Sequence, residues 1–188
     1  RGIRFLLEHP NLLHTQLDAL LKISLDFDLH ILVPMVTLPS DMAEVQGALR
    51  ESASRAKITK IPALGAMIET PAAALAAPDI LKYADFASFG TNDLTQYAFA
   101  ADRENAAVDA YFDDAHDVIF RLINMVHADV PDVPLSVCGE LAGRAESTSR
   151  LLDSGITCLS VVSSTIPAVK EAIRNCGGLH SHVPTKQP

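Results

Sequence analysis

The chain lacks several features that would point to common classes of protein. It has no run of lysine and arginine, and its net charge is −8, so we do not expect a nucleic-acid partner. No apolar run reaches the ~20 residues that a membrane-spanning helix needs. The opening residues, RGIR, are not typical of a signal peptide. These absences predict a protein without nucleic-acid binding or membrane insertion.

Cysteine is scarce, and its spacing argues against a disulfide or zinc framework. The three cysteines, Cys138, Cys158 and Cys176, form no CxxC pair. An odd number of widely separated cysteines is typical of reduced thiols, which predicts a cytoplasmic location. Methionine is absent from position 1, which suggests a piece of a longer protein.

The apolar residues, 48% of the total, fall into short runs separated by amphipathic stretches. Five runs have the pattern of buried strands: residues 29–36, 64–68, 86–89, 135–138 and 158–162. Helical patterns lie around and between them, over residues 12–25, 40–56, from 71 onward, 95–100, 114–127, 145–154 and 166–175. This alternation predicts an α/β fold with a parallel sheet. A TIM (β/α)8 barrel needs eight strands, so we expect either an open sheet or the C-terminal part of a barrel whose first strands are missing.

Local signals mark two helix starts and the end of the domain. Ser40-Asp41, with Glu44 at capping-box distance, predicts that one helix begins at Ser40. Thr70-Pro71 predicts another, because Thr caps well and Pro is tolerated at the first helical position. Residues 177–188 are rich in Gly, His and Pro, which predicts a flexible tail after a domain of residues 1–176.

Polar or reactive residues follow the predicted strands, among them Glu69, Asp93 and Cys138. Because the carboxyl ends of parallel strands meet at one edge of a sheet, we expect these residues to converge. Two adjacent carboxylates repel each other unless a cation lies between them, and such hard oxygen ligands suit Mg²⁺. The alternative is that each acid caps its following helix. The turn Gly90–Asn92 adds exposed N–H groups that favour a phosphate or carboxylate.

Two further residues each allow a functional and a structural interpretation. The planar guanidinium of Arg103 suits phosphate, but its neighbours Asp102 and Glu104 also allow a surface salt bridge. Cys138 closes a predicted strand, where it is either an inert buried thiol or a proton donor.

The run from Asp85 to Arg103, DFASFGTNDLTQYAFAADR, resembles position for position the signature of the PEP-utilising enzymes. Three more segments follow in the order of that family: RGIR at 1–4, MIETPAAA at 67–74 and CGELAG at 138–143. The resemblance covers about residues 1–175. The flanking residues DREN and GELAG most resemble enzyme I of the bacterial PEP:sugar phosphotransferase system.

This resemblance implies a PEP-binding TIM-barrel domain, its C-terminal portion, in an enzyme that passes phosphoryl from PEP to a histidine on a separate domain. A phosphocarrier protein of the sugar system would then receive the phosphoryl group, pyruvate would be released, and the domain would form a homodimer. It also implies site roles for six residues: Mg²⁺ binding for Glu69 and Asp93, substrate binding for Arg1, Asn92, Asp93 and Arg103, and protonation of the enolate carbon for Cys138.

Departures from the family pattern keep other interpretations open. The phosphohistidine domain and the first barrel strands are not in the chain, and His30 stands where enzyme I relatives often carry an arginine; a neutral imidazole there would weaken anion binding. The alternatives are a PEP domain of the pyruvate phosphate dikinase or PEP synthase type, a Mg-dependent aldolase or lyase acting on pyruvate enolates, and a non-catalytic dimerisation fragment.

Overall fold

The computed structural model describes residues 1–177, in which helices surround a single five-stranded sheet. The strands are β1 (His30–Val33), β2 (Ala63–Ile68), β3 (Phe86–Gly90), β4 (Leu135–Cys138) and β5 (Cys158–Leu159). The α-helices are α1 (Ile3–Glu8), α2 (Pro10–Ile23), α3 (Pro39–Ala56), α4 (Pro71–Leu75), α5 (Ala77–Ile80), α6 (Thr91–Phe99), α7 (Asp117–Asp129), α8 (Thr148–Asp153) and α9 (Ile166–Asn175). Short 3-10 helices occupy Leu81–Tyr83, Asp109–Tyr111, Leu141–Gly143, Ala145–Ser147 and Ser163–Thr165.

Every strand of the sheet is parallel to its neighbour, and the order β1-β2-β3-β4-β5 follows the sequence. Three or more successive residues are buried in both β2 and β3, which requires cover on both faces of the sheet. The predicted α/β class with five parallel strands is confirmed. An open sheet in this order is compatible with the C-terminal part of a TIM barrel.

The core joins the central strands to the helices that pack on them. Its largest fully buried side chains include Phe89 on β3, Phe120 on α7 and Leu21 on α2. Burying each such side chain contributes about 1.5–3 kcal/mol. Helix α2 packs on α3, and α4 and α6 pack on α7, so the helices also contact one another around the sheet.

The two predicted helix starts have different outcomes. Thr70 caps α4 as expected, because its hydroxyl accepts a hydrogen bond from the Ala73 N–H at 3.1 Å. The predicted start at Ser40 is wrong: α3 begins at Pro39, after Leu38 as the capping residue. Proline has no N–H to be capped, and Asp41 instead accepts the backbone N–H groups of Thr37 and Leu38, at 2.8 and 2.9 Å.

Other boundaries differ from the sequence prediction at the two ends of the domain. Helix α1 has no counterpart in the prediction, and the last predicted strand, 158–162, is a strand only over Cys158–Leu159. The predicted tail lies, after Gly177, outside the described residues. Among residues 1–177, no helix combines the length and apolar character needed to traverse a bilayer.

Candidate functional site

The carboxyl ends of β2, β3 and β4 carry the polar residues that the sequence singled out. Glu69 follows β2 directly, Asp93 lies in the first turn of α6 after β3, and Cys138 is the last residue of β4. The register aligns Ile68 with Phe89, and Gly90 with Cys138. These three residues therefore lie at the same edge of the sheet.

Glu69 is a buried carboxylate, with 4% of the residue exposed. Its Oε1 accepts a hydrogen bond from the backbone N–H of Met35. Burial raises the pKa of Glu69, and the nearby Asp93 carboxylate raises it further, while the Met35 N–H and the charge of Arg1 act in the opposite direction. Glu69 and Asp93 thus form an adjacent acidic pair, in which each negative charge disfavours ionisation of the other.

Asp93 is held by Arg1, the first residue of the chain. The Arg1 Nη2 donates to both oxygens of Asp93, at 2.8 and 3.0 Å, and its Nη1 lies 3.5 Å from the hydroxyl of Tyr97. The negative charge of Asp93 raises the pKa of the Arg1 guanidinium. Arg1 is more than half exposed whereas Asp93 is largely covered, so the guanidinium lies between the acidic pair and solvent.

Gly90 leaves the space into which Glu69 projects. A Cβ on Gly90 would lie 2.7 Å from the Glu69 Oε2 and 2.9 Å from its Cβ, so only glycine fits at this position without displacing the carboxylate. The absent side chain lets Oε2 lie close to the Gly90 backbone.

The turns after β3 and β4 are joined by hydrogen bonds that involve Thr91 and Asn92. The Thr91 hydroxyl donates to the carbonyl oxygen of Cys138 at 2.9 Å, and the Glu140 N–H donates to the Asn92 Oδ1 at 3.0 Å. Gly139, at φ 94°, permits this approach, because a Cβ there would meet Thr91 Oγ1 at 2.5 Å. With its oxygen occupied, Asn92 retains an NH₂ group that has no hydrogen-bond partner among residues 1–177 and can donate to an anion.

Cys138 is partly buried, and its thiol lies 3.4 Å from the carbonyl oxygen of Phe89. Burial raises the pKa of this thiol; the negative charge of Glu69 adds to the effect, and a hydrogen bond with Ser88 opposes it. The side chain therefore keeps its proton at neutral pH, as a proton donor must.

Two residues considered from the sequence lie apart from this cluster. Arg103 is exposed, in the loop between α6 and α7, and forms no side-chain hydrogen bond or salt bridge within the described part of the chain. His30 begins β1, and its ring lies 5.5 Å from that of Phe86 between centroids, with the two ring planes tilted by 42°. His30 occupies the amino end of the strand, away from the edge that carries Glu69 and Asp93, and its expected effect on anion binding stays a prediction.

Three residues that contact members of this cluster were not assigned a role from the sequence: Met35, Thr91 and Tyr97. Tyr97 follows Asp93 by one helical turn, a spacing that places both side chains on one face of α6 and could have identified it. The roles of Met35 and Thr91 depend on the backbone of neighbouring strands, for which the sequence carries no local signal.

Comparison with known proteins agrees with these features. Residues 1–177 match the family model described as "PEP-utilising enzyme, PEP-binding domain". A crystal structure of a citrate lyase from Burkholderia xenovorans superposes with a TM-score of 0.60 at 18% identity, over 76% of this chain and 48% of the lyase chain. At that identity the likeness concerns the fold alone.

Curated relatives have names that refer to phosphoryl transfer. Phosphoenolpyruvate-protein phosphotransferase of Buchnera aphidicola subsp. Acyrthosiphon pisum is 36% identical over 93% of this chain, and the enzyme of the same name from Streptomyces coelicolor is 38% identical over 92%. Multiphosphoryl transfer protein of Xanthomonas campestris pv. campestris is 38% identical over 93%. The chain spans 32%, 31% and 21% of their respective lengths. It belongs to the family of PEP-utilising enzymes, whose PEP-binding domain its residues 1–177 match.

Proposed function

We propose that this chain is the PEP-binding part of a phosphoenolpyruvate-protein phosphotransferase of the enzyme I type. The observation that carries the proposal is the adjacent pair of Glu69 and Asp93 at the carboxyl ends of neighbouring strands, with Arg1 bound to Asp93. Two carboxylates and a guanidinium at one edge suit a ligand that carries both a phosphate and a carboxylate group together with a divalent cation.

The residues present fit Mg²⁺. Within the described residues, no group of three His, Cys, Asp or Glu side chains is arranged to hold a metal ion. Mg²⁺ commonly binds through one or two carboxylates and takes its other ligands from substrate oxygens and water. Glu69 and Asp93 would hold it, and a bound Mg²⁺ would neutralise negative charge on the PEP carboxylate and phosphate.

The chain's own residues would position PEP and complete the chemistry. Arg1 and the free NH₂ group of Asn92 would donate to the substrate's oxygens, and Arg103 would reach the phosphate from its exposed loop. Once the phosphoryl group has passed to the acceptor histidine, the enolate of pyruvate remains. The Cys138 thiol would give its proton to the C3 carbon of that enolate, which yields pyruvate.

The relatives' names and the open edges of the sheet support a proposal for the wider assembly. The acceptor histidine would lie on a separate domain, and a phosphocarrier protein would take the phosphoryl group from it, in the cytoplasm. Residues 1–176 would form the PEP-binding unit, with residues 177–188 as its tail. Strands β1 and β5 each pair with one other described strand, and such open edges favour association with further strands or with a second copy in a homodimer.

The test is calorimetric titration of the chain with PEP in the presence of Mg²⁺. We expect saturable binding that requires Mg²⁺ and is lost in Glu69→Ala, because that variant removes a buried metal ligand. Glu44→Ala, which removes an exposed carboxylate from α3, should bind as the wild type does. Unchanged binding by Glu69→Ala would refute the metal assignment, and turnover of an acyl-pyruvate in place of PEP would support the lyase alternative.

A further inference from the structure

Met35 has an unusual backbone conformation next to the acidic pair. It follows β1 with φ 59°, a left-handed conformation that is uncommon for a residue other than glycine, and only 5% of the residue is exposed. Such conformations cost free energy and persist only where the surrounding structure imposes them.

The backbone on both sides of Met35 is fixed by neighbouring elements. Gly2, at φ 58°, packs so closely that a Cβ on it would lie 2.7 Å from the Met35 Cβ, and the Ile3 N–H donates to the carbonyl oxygen of Pro34 at 3.2 Å. The chain start that carries Arg1 and the end of β1 are therefore packed together. In this conformation the N–H of Met35 points at Glu69.

We infer that Met35 is a positioning residue, whose left-handed backbone directs its N–H to the Oε1 of Glu69, so that Oε2 alone faces the Gly90 turn and the metal. The inference rests on the proposed function for the metal and adds which carboxylate oxygen is left to bind it. Oε2 lies where a Gly90 Cβ would touch it at 2.7 Å, whereas Oε1 accepts the hydrogen bond from the Met35 N–H. Partners of this kind fix the orientation of a metal ligand.

The first experiment needs no metal. Hydrogen exchange at the Met35 amide, followed by NMR, should be slow in the wild type and fast in Glu69→Ala, with Glu69→Gln intermediate because its amide oxygen still accepts. The Ile3 amide, bonded to Pro34, is the internal control and should stay protected in all three. Equal protection of Met35 in the wild type and Glu69→Ala would overturn the inference.

The second experiment compares substitutions at Met35 by Mn²⁺ binding in the presence of PEP, measured by electron paramagnetic resonance. Met35→Val should weaken binding about tenfold or more, the range seen for residues that orient metal ligands, because a β-branched residue resists positive φ. Met35→Gly, which adopts this φ freely, should retain the wild-type affinity. If the Met35 side chain acted only by packing, Met35→Val should bind Mn²⁺ more tightly than Met35→Gly, because Val replaces more of the buried side chain than Gly does.

Lys57 provides the matched control, because it has φ 58° at the end of α3, in a different part of the chain. Lys57→Val should reduce stability without changing Mn²⁺ affinity. If wild-type protein does not bind Mn²⁺, the metal part of the proposed function fails and the exchange result alone decides the inference. If Met35→Val does not fold, hydrogen exchange at the Met35 amide again decides the inference. If Met35→Val folds and binds Mn²⁺ as tightly as the wild type does, the inference is overturned.

Discussion

The guanidinium of Arg1 and the carboxylate of Asp93, 92 positions apart in sequence, form a salt bridge with nitrogen–oxygen distances of 2.8 and 3.0 Å. Arg1 is thereby the cation that offsets the acidic pair of Asp93 and Glu69. A metal ion at the same pair would compete with Arg1 for Asp93, and PEP would offer Arg1 new oxygen partners. We therefore expect the salt bridge to couple the proposed metal binding to the proposed PEP binding.

Replacing Arg1 by alanine should affect the two ligands in opposite directions. Without PEP, Mn²⁺ affinity should rise by no more than about fivefold, because partly exposed ion pairs contribute about 0.2–1 kcal/mol. Affinity for PEP should fall, because a phosphate partner is lost. Mn²⁺ titration with and without PEP measures both effects. Arg4→Ala, which removes a guanidinium bonded to Thr37, is the control, and weaker binding of Mn²⁺ alone by Arg1→Ala would contradict the coupling.

Two glycine-to-alanine substitutions should have opposite effects on stability. Gly90→Ala places a Cβ 2.7 Å from the Glu69 Oε2, and overpacking of this kind costs about 1–3 kcal/mol; metal binding should be lost with it. Gly47→Ala, within α3, meets nothing within 4 Å and should stabilise the protein by about 0.5–1 kcal/mol. Urea unfolding measures both, and a Gly90→Ala variant with full stability and metal affinity would show that Glu69 is not confined by this turn.

Arg144→Ala should destabilise the fold by breaking a half-buried ion pair. Asp114 is 2% exposed, Arg144 lies 2.8 Å from its Oδ1, and its buried Oδ2 has no partner among the described residues. Removing the Arg144 guanidinium leaves the buried Asp114 carboxylate without its ion-pair partner. This should lower the free energy of unfolding by about 1–3 kcal/mol near neutral pH. Lys82→Ala breaks the shorter but exposed Lys82–Asp79 pair and should have little effect in the same urea unfolding experiment.

The Asp114 carboxyl should also make stability depend on pH. Burial raises the pKa of Asp114 by more than the charge of Arg144 lowers it. A raised pKa in the folded state means that the stabilisation is complete below the ordinary aspartate pKa and is lost as the pH rises through the raised value. Unfolding curves at a series of pH values should show this loss for the wild type, a larger loss for Arg144→Ala, and a smaller loss for Asp114→Asn, in which the raised pKa of Glu69 still contributes.

Alkylation should distinguish Cys138 from Cys158. Because burial raises the pKa of Cys138, its reactive thiolate forms only at higher pH, whereas Cys158 is exposed. Iodoacetamide at neutral pH should therefore modify Cys158 first, and Cys138 should react as the pH is raised. Site-resolved mass spectrometry measures both rates, with urea-unfolded protein as the control in which the difference disappears. Equal rates in the folded protein would argue against a protonated Cys138.

The sequence predicted the sheet well, because buried parallel strands are short apolar runs between helical patterns, as in 64–68 and 135–138. It also placed Glu69, Asp93 and Cys138 at one edge, since the carboxyl ends of parallel strands have to meet there. Both predictions depend only on the spacing of the apolar runs and on which end of each strand comes last, and both can be read directly from the sequence.

Contacts between distant segments could not be predicted in this way. The Met35 N–H bond to Glu69 requires a positive φ at a methionine, a conformation that methionine rarely adopts and no pattern signals. The start of α3 was missed because Asp41 caps it from within the helix. For Arg103 the sequence left a phosphate contact and a surface salt bridge open, and the phosphate contact stays a prediction, because no side-chain bond within residues 1–177 fixes the guanidinium.

The sequential order of the strands has a consequence for the protein's synthesis. Ribosomes extend a chain from the amino end at about 5–20 residues per second, so each new strand finds its partner already made. β2 and β3, with the acids that follow them, can pair before β4 leaves the ribosome. This order would allow the acidic pair to assemble on the nascent chain before the thiol of Cys138 joins it.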